Sequence, residues 1–581
     1  MRARRITPAG RLLISAGLRR GGWIPVLVAG MCVTTVASLL VPASLATVIN
    51  AVIAHRDAAP ATARLAVFLI AGALGSLASG FAGPACFARS TAWLGHRLLR
   101  HIISLGARGQ AEFAPGDMTS RLLDSVPAAA AAGAGALELG MSLVTSLSAV
   151  AALWLTDWLL GAVFLLAAGP AVIMARSSVR GASEIFLRYE RVLAQIATRL
   201  SEALGGIRTI ASGGTADQEV ERILRPLPEL AAAGRATWQV QRRVAWRASL
   251  CFALMELAVL ATAGWEVESG RLSAGAWLGA AGYTTLALGI FGAIDTLMGI
   301  AHSHAAAVRI TEVLATQRPG HGTGTARLGN AAVPLTFRQV TVRSGGHLIH
   351  NKLDLHIPAG VTAAVVGRSG AGKSTLAALV GRLAEPDAGE VLLDGTAVAS
   401  LLPSDLSRAV AYAFAQPACL GRTVADAIAY GSRSMTRADI ERAARMARAH
   451  DFIQRLPLGY DTPMADAPLS GGERQRLGIA RAFAADARVL VLDDATSSLD
   501  TATEAQVNEA LSELRKGKTT LIVAHRAGTA ARADTVVWLD AGRVRAMAPH
   551  WQLWRDPGYR AVFSVAEPLL QNVALSPAGR P

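Results

Sequence analysis

The sequence predicts a multidomain chain. An all-α domain of six membrane-spanning helices is fused to an α/β phosphate-loop domain. Three observations predict it. Six apolar runs lie before residue 301, each of about the length that crosses the ~30 Å hydrocarbon core of a bilayer. A glycine loop at 367–374 stands between a strand-like apolar run and a helix-like run. From residue 334 onward, strand-like and helix-like segments alternate, the pattern of an α/β domain.

Composition supports the membrane half. The chain has 581 residues, 52% hydrophobic and 17% charged, with a mean hydropathy of +0.36. That is too apolar for an ordinary soluble protein. The net charge is +15, carried almost wholly by arginine; the lysines are Lys352, Lys373, Lys516 and Lys518. Basic charge can signal nucleic acid. Here Arg2, Arg4, Arg5, Arg11, Arg19 and Arg20 precede the first apolar run, which is the arginine bias of cytosolic membrane flanks. A nucleic-acid partner is therefore not expected. Cys32, Cys86, Cys251 and Cys419 are scattered and have neither metal spacing nor a disulfide pattern. The first apolar run is too long for a cleavable signal and lacks a clear cleavage site.

In order, residues 1–20 form a basic cytosolic lead-in. The first run, 23–54, contains Pro25 and Pro42 and exceeds the roughly 20 residues a span needs, so it tilts, kinks or protrudes. The second span is 65–87. The third and fourth, 128–155 and 158–175, are joined by the tight turn Thr156-Asp157. The fifth and sixth are 247–265 and 274–300. The loops at 55–64, 156–157 and 266–273 are short, whereas 88–127 and 176–245 are long and arginine-rich. The positive-inside rule puts both long segments and both termini in the cytosol. The membrane domain is expected over 21–315, a glycine- and threonine-rich linker over 316–333, the nucleotide-binding domain over 334–565 and a tail over 566–581.

The loop reads Gly367-Arg368-Ser369-Gly370-Ala371-Gly372-Lys373-Ser374, followed by Thr375. It fits the G-x-x-x-x-G-K-[ST] pattern. Its glycines let backbone N–H groups approach phosphate oxygens, and the helix N-terminus that follows favours negative charge. Lys373 is expected to reach the β- and γ-phosphates of ATP, and Ser374 to ligate Mg²⁺. Val489–Asp493 is an apolar strand ending in a carboxylate, suited to organising the same Mg²⁺.

Between these two elements lies Leu469-Ser470-Gly471-Gly472-Glu473-Arg474-Gln475-Arg476. This stretch resembles the signature of the ATP-binding cassette (ABC) family. Within that resemblance Gln416 looks like the family's glutamine-loop residue, which senses Mg²⁺ and the membrane domain. Ser497-Ser498-Leu499-Asp500 looks like its dimer-contact loop, and His525 like its switch histidine. The resemblance covers the whole chain: six spans and one cassette look like a half-transporter of the exporter type. Gly116-Asp117 with Arg121, and 203–213 with Arg208 and Thr209, match its cytosolic coupling segments.

The resemblance implies an ATPase coupled to transport in a cell inner or plasma membrane, with both termini and the cassette cytoplasmic. Its cargo would be a hydrophobic or amphipathic compound, peptide or lipid. It also implies a second half-transporter as partner, because Ser470, Gly471, Gly472 and Glu473 of one chain complete the ATP site of the other. Two alternatives share the fold: import of a metal chelate such as a siderophore, and a regulatory half that binds ATP but hydrolyses it slowly.

Three departures from the family stand out. Asp494 follows the magnesium aspartate, where the family usually has a glutamate that polarises the attacking water. One methylene less displaces its carboxylate by about 1 Å or more, and such a misplacement can cost about 100-fold in rate. Ser344 falls where an adenine-stacking aromatic usually stands, with Arg343 and His347 as possible substitutes. The segment 463–468 is short, with Asp466 its one acid. A defective carboxylate beside an intact signature points to a heterodimer with a degenerate site on this chain. In the membrane half, Glu138, Glu256 and Asp295 lie within or near spans. Charge there is costly and faces a bundle interior or cavity, so these are substrate candidates, favouring a cationic or amphipathic cargo. Trp154, Trp158 and Trp265 sit near span ends and read as interfacial anchors.

Overall fold

The computed structural model describes the chain apart from residues 1–6, 19–21, 107–108, 110–111, 317–331, 433–434, 498–502, 504–505, 508, 510–516 and 565–581. Within helices, the side chains of residues 18, 115, 172–187, 190, 194, 244, 294 and 295 are also outside the described set. The chain divides into two compact units, Met1–Ile103 with Pro115–Thr316, and Ser104–Ala114 with Gln317–Pro581.

The regular structure of the first unit's described residues is helical. In lipid every backbone polar group must be satisfied within the segment, so apolar runs form helices. They are α1 (Pro8–Leu18), α2 (Trp23–Ile53), α3 (Ala59–Leu105), α4 (Pro115–Ser120), a π turn (Arg121–Ser125), α5 (Val126–Thr156) and α6 (Trp158–Gly205). Then come α7 (Ile207–Gly213), α8 (Ala216–Leu224), α9 (Leu227–Glu268), α10 (Ala274–Leu288), a 3₁₀ turn (Gly289–Gly292) and α11 (Ala293–Ala315).

Among the described residues, five helical stretches are long and apolar enough to cross a membrane. The fourth expected span is the apolar head of α6, Trp158–Ala171. Helices α3 and α6 have 47 and 48 residues. At 1.5 Å per residue each is about 70 Å long, more than twice the ~30 Å hydrocarbon core. The long polar segments are thus largely continuations of spans. The expected sixth span is broken, α10 giving way to α11 through the glycine-bounded 3₁₀ turn.

Short turns have identifiable caps. Asp157 is extended, with φ −157°, and its carboxylate accepts from Leu159 N at 2.7 Å, so α6 restarts after one residue. Ser273 caps α10 by accepting from Ala276 N at 3.2 Å. Asn50 of α2 donates to Ser273 Oγ at 2.9 Å and accepts from Gly275 N at 2.9 Å, tying α2 to the α9–α10 turn.

Helix backbones meet where side chains are absent. A Cβ on Gly30 of α2 would lie 2.8 Å from the Gly75 carbonyl of α3, and one on Gly75 would lie 2.7 Å from Thr34 Oγ1. A Cβ on Gly275 of α10 would lie 2.2 Å from the Ala46 carbonyl of α2. Small residues at crossings are the usual device of helix association in lipid. Elsewhere Leu153, Leu160, Phe164, Met255, Val259 and Tyr283 bury one another between α5, α6, α9 and α10.

One charged network fastens the segment after α3 to the last helix. Arg121 is largely buried; its Nε donates to Asp117 Oδ2 at 2.8 Å and its Nη1 to Glu312 Oε2 at 2.9 Å and to the Arg309 carbonyl. Arg309 Nη2 donates to Asp117 Oδ1 at 2.9 Å.

Among its described residues the second unit holds two sheets. The strands are β1 (Leu335–Ser344), β2 (His347–Ile357), β3 (Thr362–Val366), β4 (Ala388–Leu393), β5 (Thr396–Ala397), β6 (Val410–Phe414), β7 (Val489–Asp493), β8 (Thr519–Val523), β9 (Thr535–Asp540) and β10 (Arg543–Ala548). One sheet runs β2-β1-β4-β5 and is antiparallel. The other runs β10-β9-β3-β8-β7-β6, parallel from β9 to β6. All five residues of β3 are buried, as its continuous apolar run requires. The C-terminal ends of β3, β7 and β8 therefore come out at one edge, where parallel α/β sheets hold ligands.

Candidate nucleotide-binding site

The glycine loop leaves β3 at that edge. Gly367 passes so close to β9 that a Cβ would lie 2.5 Å from the Leu539 carbonyl. Gly370 and Gly372 take φ +81° and +89°, in the left-handed region that glycine adopts without strain. Gly372 caps helix α12 (Lys373–Val380), its carbonyl accepting from Leu376 N at 2.8 Å.

Lys373 is buried, and its Nζ donates to the carbonyls of Gly367 at 2.8 Å and Arg368 at 3.1 Å. Burial pushes its pKa down, and the Asp494 and Asp493 carboxylates pull the other way. The ammonium thus rests in the cup of its own loop. Arg368, Ser369 and Gly370 are exposed, Ala371 and Thr375 half-buried.

Ser374 Oγ donates to Asp493 Oδ1 at 2.9 Å, joining residues 119 positions apart. A hydroxyl and a carboxylate side by side are hard oxygen donors, the set that takes Mg²⁺ with phosphate and water completing the shell. These residues fit that ion. Asp494 follows at φ +54°, a left-handed conformation in which aspartate is enriched. Burial pushes its carboxyl pKa up; His525, Ser497 and Arg526 work against that shift, and Asp493 adds to it. Asp494, Ser497, His525, Arg526 and Thr529 share a cavity of about 130 Å³ closed by Leu492 and Ile522. The ends of β7 and β8 thus bring Asp494 and His525 to one pocket.

Gln416 lies two residues beyond β6, exposed and without a side-chain hydrogen bond among the described residues. Sequence reading did not single out Gln475. It is buried, and its Nε2 donates to the Ala415 carbonyl at 2.9 Å and Ser497 Oγ at 3.1 Å. One amide so bridges the residue before Gln416 and the loop after Asp494. The signature opens helix α13 (Gly471–Ala484). Ser470 Oγ accepts from Glu473 N at 3.2 Å and Glu473 Oε2 from Ser470 N at 2.8 Å, a capping box. Among the described residues no hydrogen bond joins 470–473 to 367–374 within one chain. Asp500, with Ser498 and Leu499, lies outside the described residues.

Arg343, Ser344 and His347 flank the exposed β1–β2 turn, Ser344 opposite His347. Arg343 N donates to Asp387 Oδ2 at 2.6 Å, leaving its guanidinium exposed.

In the membrane unit, Glu138 is exposed on α5 and Glu256 half-buried on α9, neither in an ion pair among the described residues. Asp295 falls on α11 with its side chain outside the described set. Sequence reading missed Glu266. It stands near the end of α9, fully buried, with Oε1 accepting from Arg271 Nη1 at 3.3 Å. Its place beside the expected span end had put it with a loop; the acid-base pair five residues apart was the available signal.

Comparison with known proteins gives matches over both units. The family model for the ABC transporter matches residues 350–497, and that for the ABC transporter transmembrane region matches 26–298. The ABC transporter ATP-binding protein RamA of Streptomyces coelicolor is 43% identical over 84% of this chain and 77% of its own length. The ATP-dependent lipid A-core flippase of Chromobacterium violaceum is 31% identical over 81% of each chain. The structure of a bacterial Atm1-family ABC exporter with ATP bound has the same fold, with TM-score 0.76 over 96% of this chain and 99% of the other at 24% identity.

Proposed function

Because the chain belongs to the ABC transporter family, we propose that it is one half of an ATP-driven exporter of an amphipathic or lipid-like substrate. The observation that carries the proposal is the Ser374–Asp493 contact at 2.9 Å beside Lys373, on a chain whose other unit is a membrane-helix bundle. The name of the lipid A-core flippase relative supports a lipid-like cargo, and the half-buried Glu256 supports one with a cationic or polar head. The arginine-rich segments 88–127 and 176–245 support a cytosolic cassette.

In this reading each residue has a role. Lys373 exchanges its two loop carbonyls for phosphate oxygens. Ser374 and Asp493 hold Mg²⁺, which neutralises charge on the phosphates when bound. Asp494 orients the attacking water, and His525, lining the same pocket, holds the far side. Gln416 and the coupling segments Asp117–Arg121 and α7 relay the site's state to the spans.

Asp494 is the weak member of this set, while the signature at Ser470 and Gly472 keeps its capping box. In a cassette dimer the signature serves the opposite site. The partner is therefore a different half-transporter, with a glutamate after its magnesium aspartate. This chain's own site holds ATP and turns over slowly. The test is ATPase of the purified chain in lipid, alone and with its co-purified partner. Fast turnover is expected for the pair, with Ser470→Ala depressing it. Full, substrate-stimulated ATPase by a stable dimer of this chain alone would overturn the heterodimer.

A further inference from the structure

The short helix α12 is gripped at both ends by side chains from other strands. At its C-terminal end Tyr412 of β6 donates to the Ala377 carbonyl at 2.8 Å and accepts from Gly381 N at 2.7 Å. At its N-terminal end stands His350 of β2, fully buried, with Nε2 donating to the Gly372 carbonyl at 3.1 Å. We propose that His350 is a positioning residue for nucleotide binding: its ring, wedged against Gly372, fixes the peptide from which Lys373 is aimed at the phosphates. The proposal rests on the reading of 367–374 as the ATP loop.

The geometry explains how a residue that touches no phosphate acts on one. The Gly372 carbonyl and the Lys373 N–H belong to one planar peptide and point in opposite directions. Holding the oxygen therefore sets the direction of the N–H. The oxygen is held twice, by His350 Nε2 and by Leu376 N at 2.8 Å. The Cε1–Nε2 edge of the ring also fills the space beside the α-carbon: a Cβ at Gly372 would come 2.6 Å from His350 Cε1 and 2.9 Å from Ile349 Cγ2. This contact blocks rotation of a glycine at φ +89°, whose backbone is otherwise the freest in the loop.

The choice of histidine is informative. Because Nε2 faces a carbonyl, it carries the proton; burial pushes the ring's pKa down, and the Gly372 and Gly542 carbonyls work against that shift. Nδ1 is buried and makes no geometrically sound hydrogen bond among the described residues, although the Gly542 carbonyl acts on the ring. That arrangement costs stability that an aliphatic residue of similar size would not. The Nε2 donor is what the histidine supplies in return.

The experiment uses the full chain in lipid nanodiscs, with binding of a fluorescent ATP analogue, steady-state ATPase and thermal unfolding measured together. His350→Leu keeps bulk and removes the donor; His350→Gln keeps a donor. The loss of one orienting hydrogen bond is expected to weaken nucleotide binding and raise KM about fivefold to tenfold for His350→Leu, with kcat changed less and the melting midpoint unchanged or raised. His350→Gln is expected to recover affinity to within about twofold. Tyr412→Phe, at the far end of the helix, lowers the midpoint and leaves affinity as it was. The proposal is overturned if His350→Leu binds like the parent, or if both His350 variants lose affinity in step with stability. Lys373→Ala separates the two readings. If it binds like the parent, the loop assignment fails and this proposal with it; if it binds weakly while His350→Leu does not, His350 alone is misread.

Discussion

Replacing Asp494 with glutamate lengthens one side chain by one methylene, and its effect can be worked out from the pocket. The added carbon extends the carboxylate by about 1.5 Å. A misplacement near 1 Å can cost about 100-fold, equivalent to about 2.7 kcal/mol of barrier. The cavity of about 130 Å³ beside Asp494 has room for a methylene. Against this stands the backbone. Asp494 sits at φ +54°, where a longer L-residue loses aspartate's local tolerance and pays roughly 1 kcal/mol. That strain is present in ground and transition states alike, so it lowers the melting midpoint and leaves the rate gain intact. Asp494→Glu is thus expected to raise turnover at this site by at least about tenfold, or about 1.4 kcal/mol, while the protein melts earlier. The assay is single-turnover hydrolysis with enzyme in excess of ATP, reconstituted in lipid, with Asp494→Asn as the inactive control. The pH profile gives a second reading. A carboxyl whose folded pKa is raised holds its proton more tightly, so activity needing the anion is full above that pKa and lost as pH falls through it. The acid limb of the parent is therefore expected above the ordinary carboxylate range and absent in Asp494→Asn. An Asp494→Glu protein no faster than the parent, at unchanged ATP affinity, refutes reach as the defect.

Two further expectations are independent of that carboxylate. Lys373→Ala removes the buried ammonium of the phosphate loop and is expected to weaken ATP binding by at least about tenfold, read by equilibrium binding; unchanged affinity refutes the assignment. Arg121→Ala leaves Glu312 without Arg121 and the Arg309 carbonyl without its Nη1 donor. With the partner carboxylates partly exposed, the cost is about 2–3 kcal/mol, measured as a lowered thermal midpoint in detergent.

What the sequence reveals here depends on how far each determinant spreads along the chain. The phosphate loop was legible because strand, glycines, lysine and helix are contiguous, as Thr362–Val366 through Lys373–Val380 show. The spans were legible because lipid imposes one answer on a long apolar run. The break at Gly289–Gly292 was not, since glycine is common in membrane helices and marks no boundary by itself. The meeting of Ser374 with Asp493 was inferable from the motifs. The roles of His350 and Gln475 were not, because each depends on a partner more than twenty positions away and neither residue type announces it. Asp494 was visible as a substitution, but its left-handed backbone needed coordinates.

The glycine crossings of the membrane unit have a mechanical consequence. Where Gly30 meets Gly75 and Gly275 meets Ala46, main chain comes against main chain, with the short side chains of Thr34 and Asn50 beside the contacts. A side-chain interface can re-pack as two helices shift; a backbone contact has nothing to rearrange and resists sliding. Helices α2, α3 and α10 are thereby keyed together like staves in a cask. In any rearrangement of the bundle this trio is expected to move as a plate, with the yielding at seams made of flexible side chains.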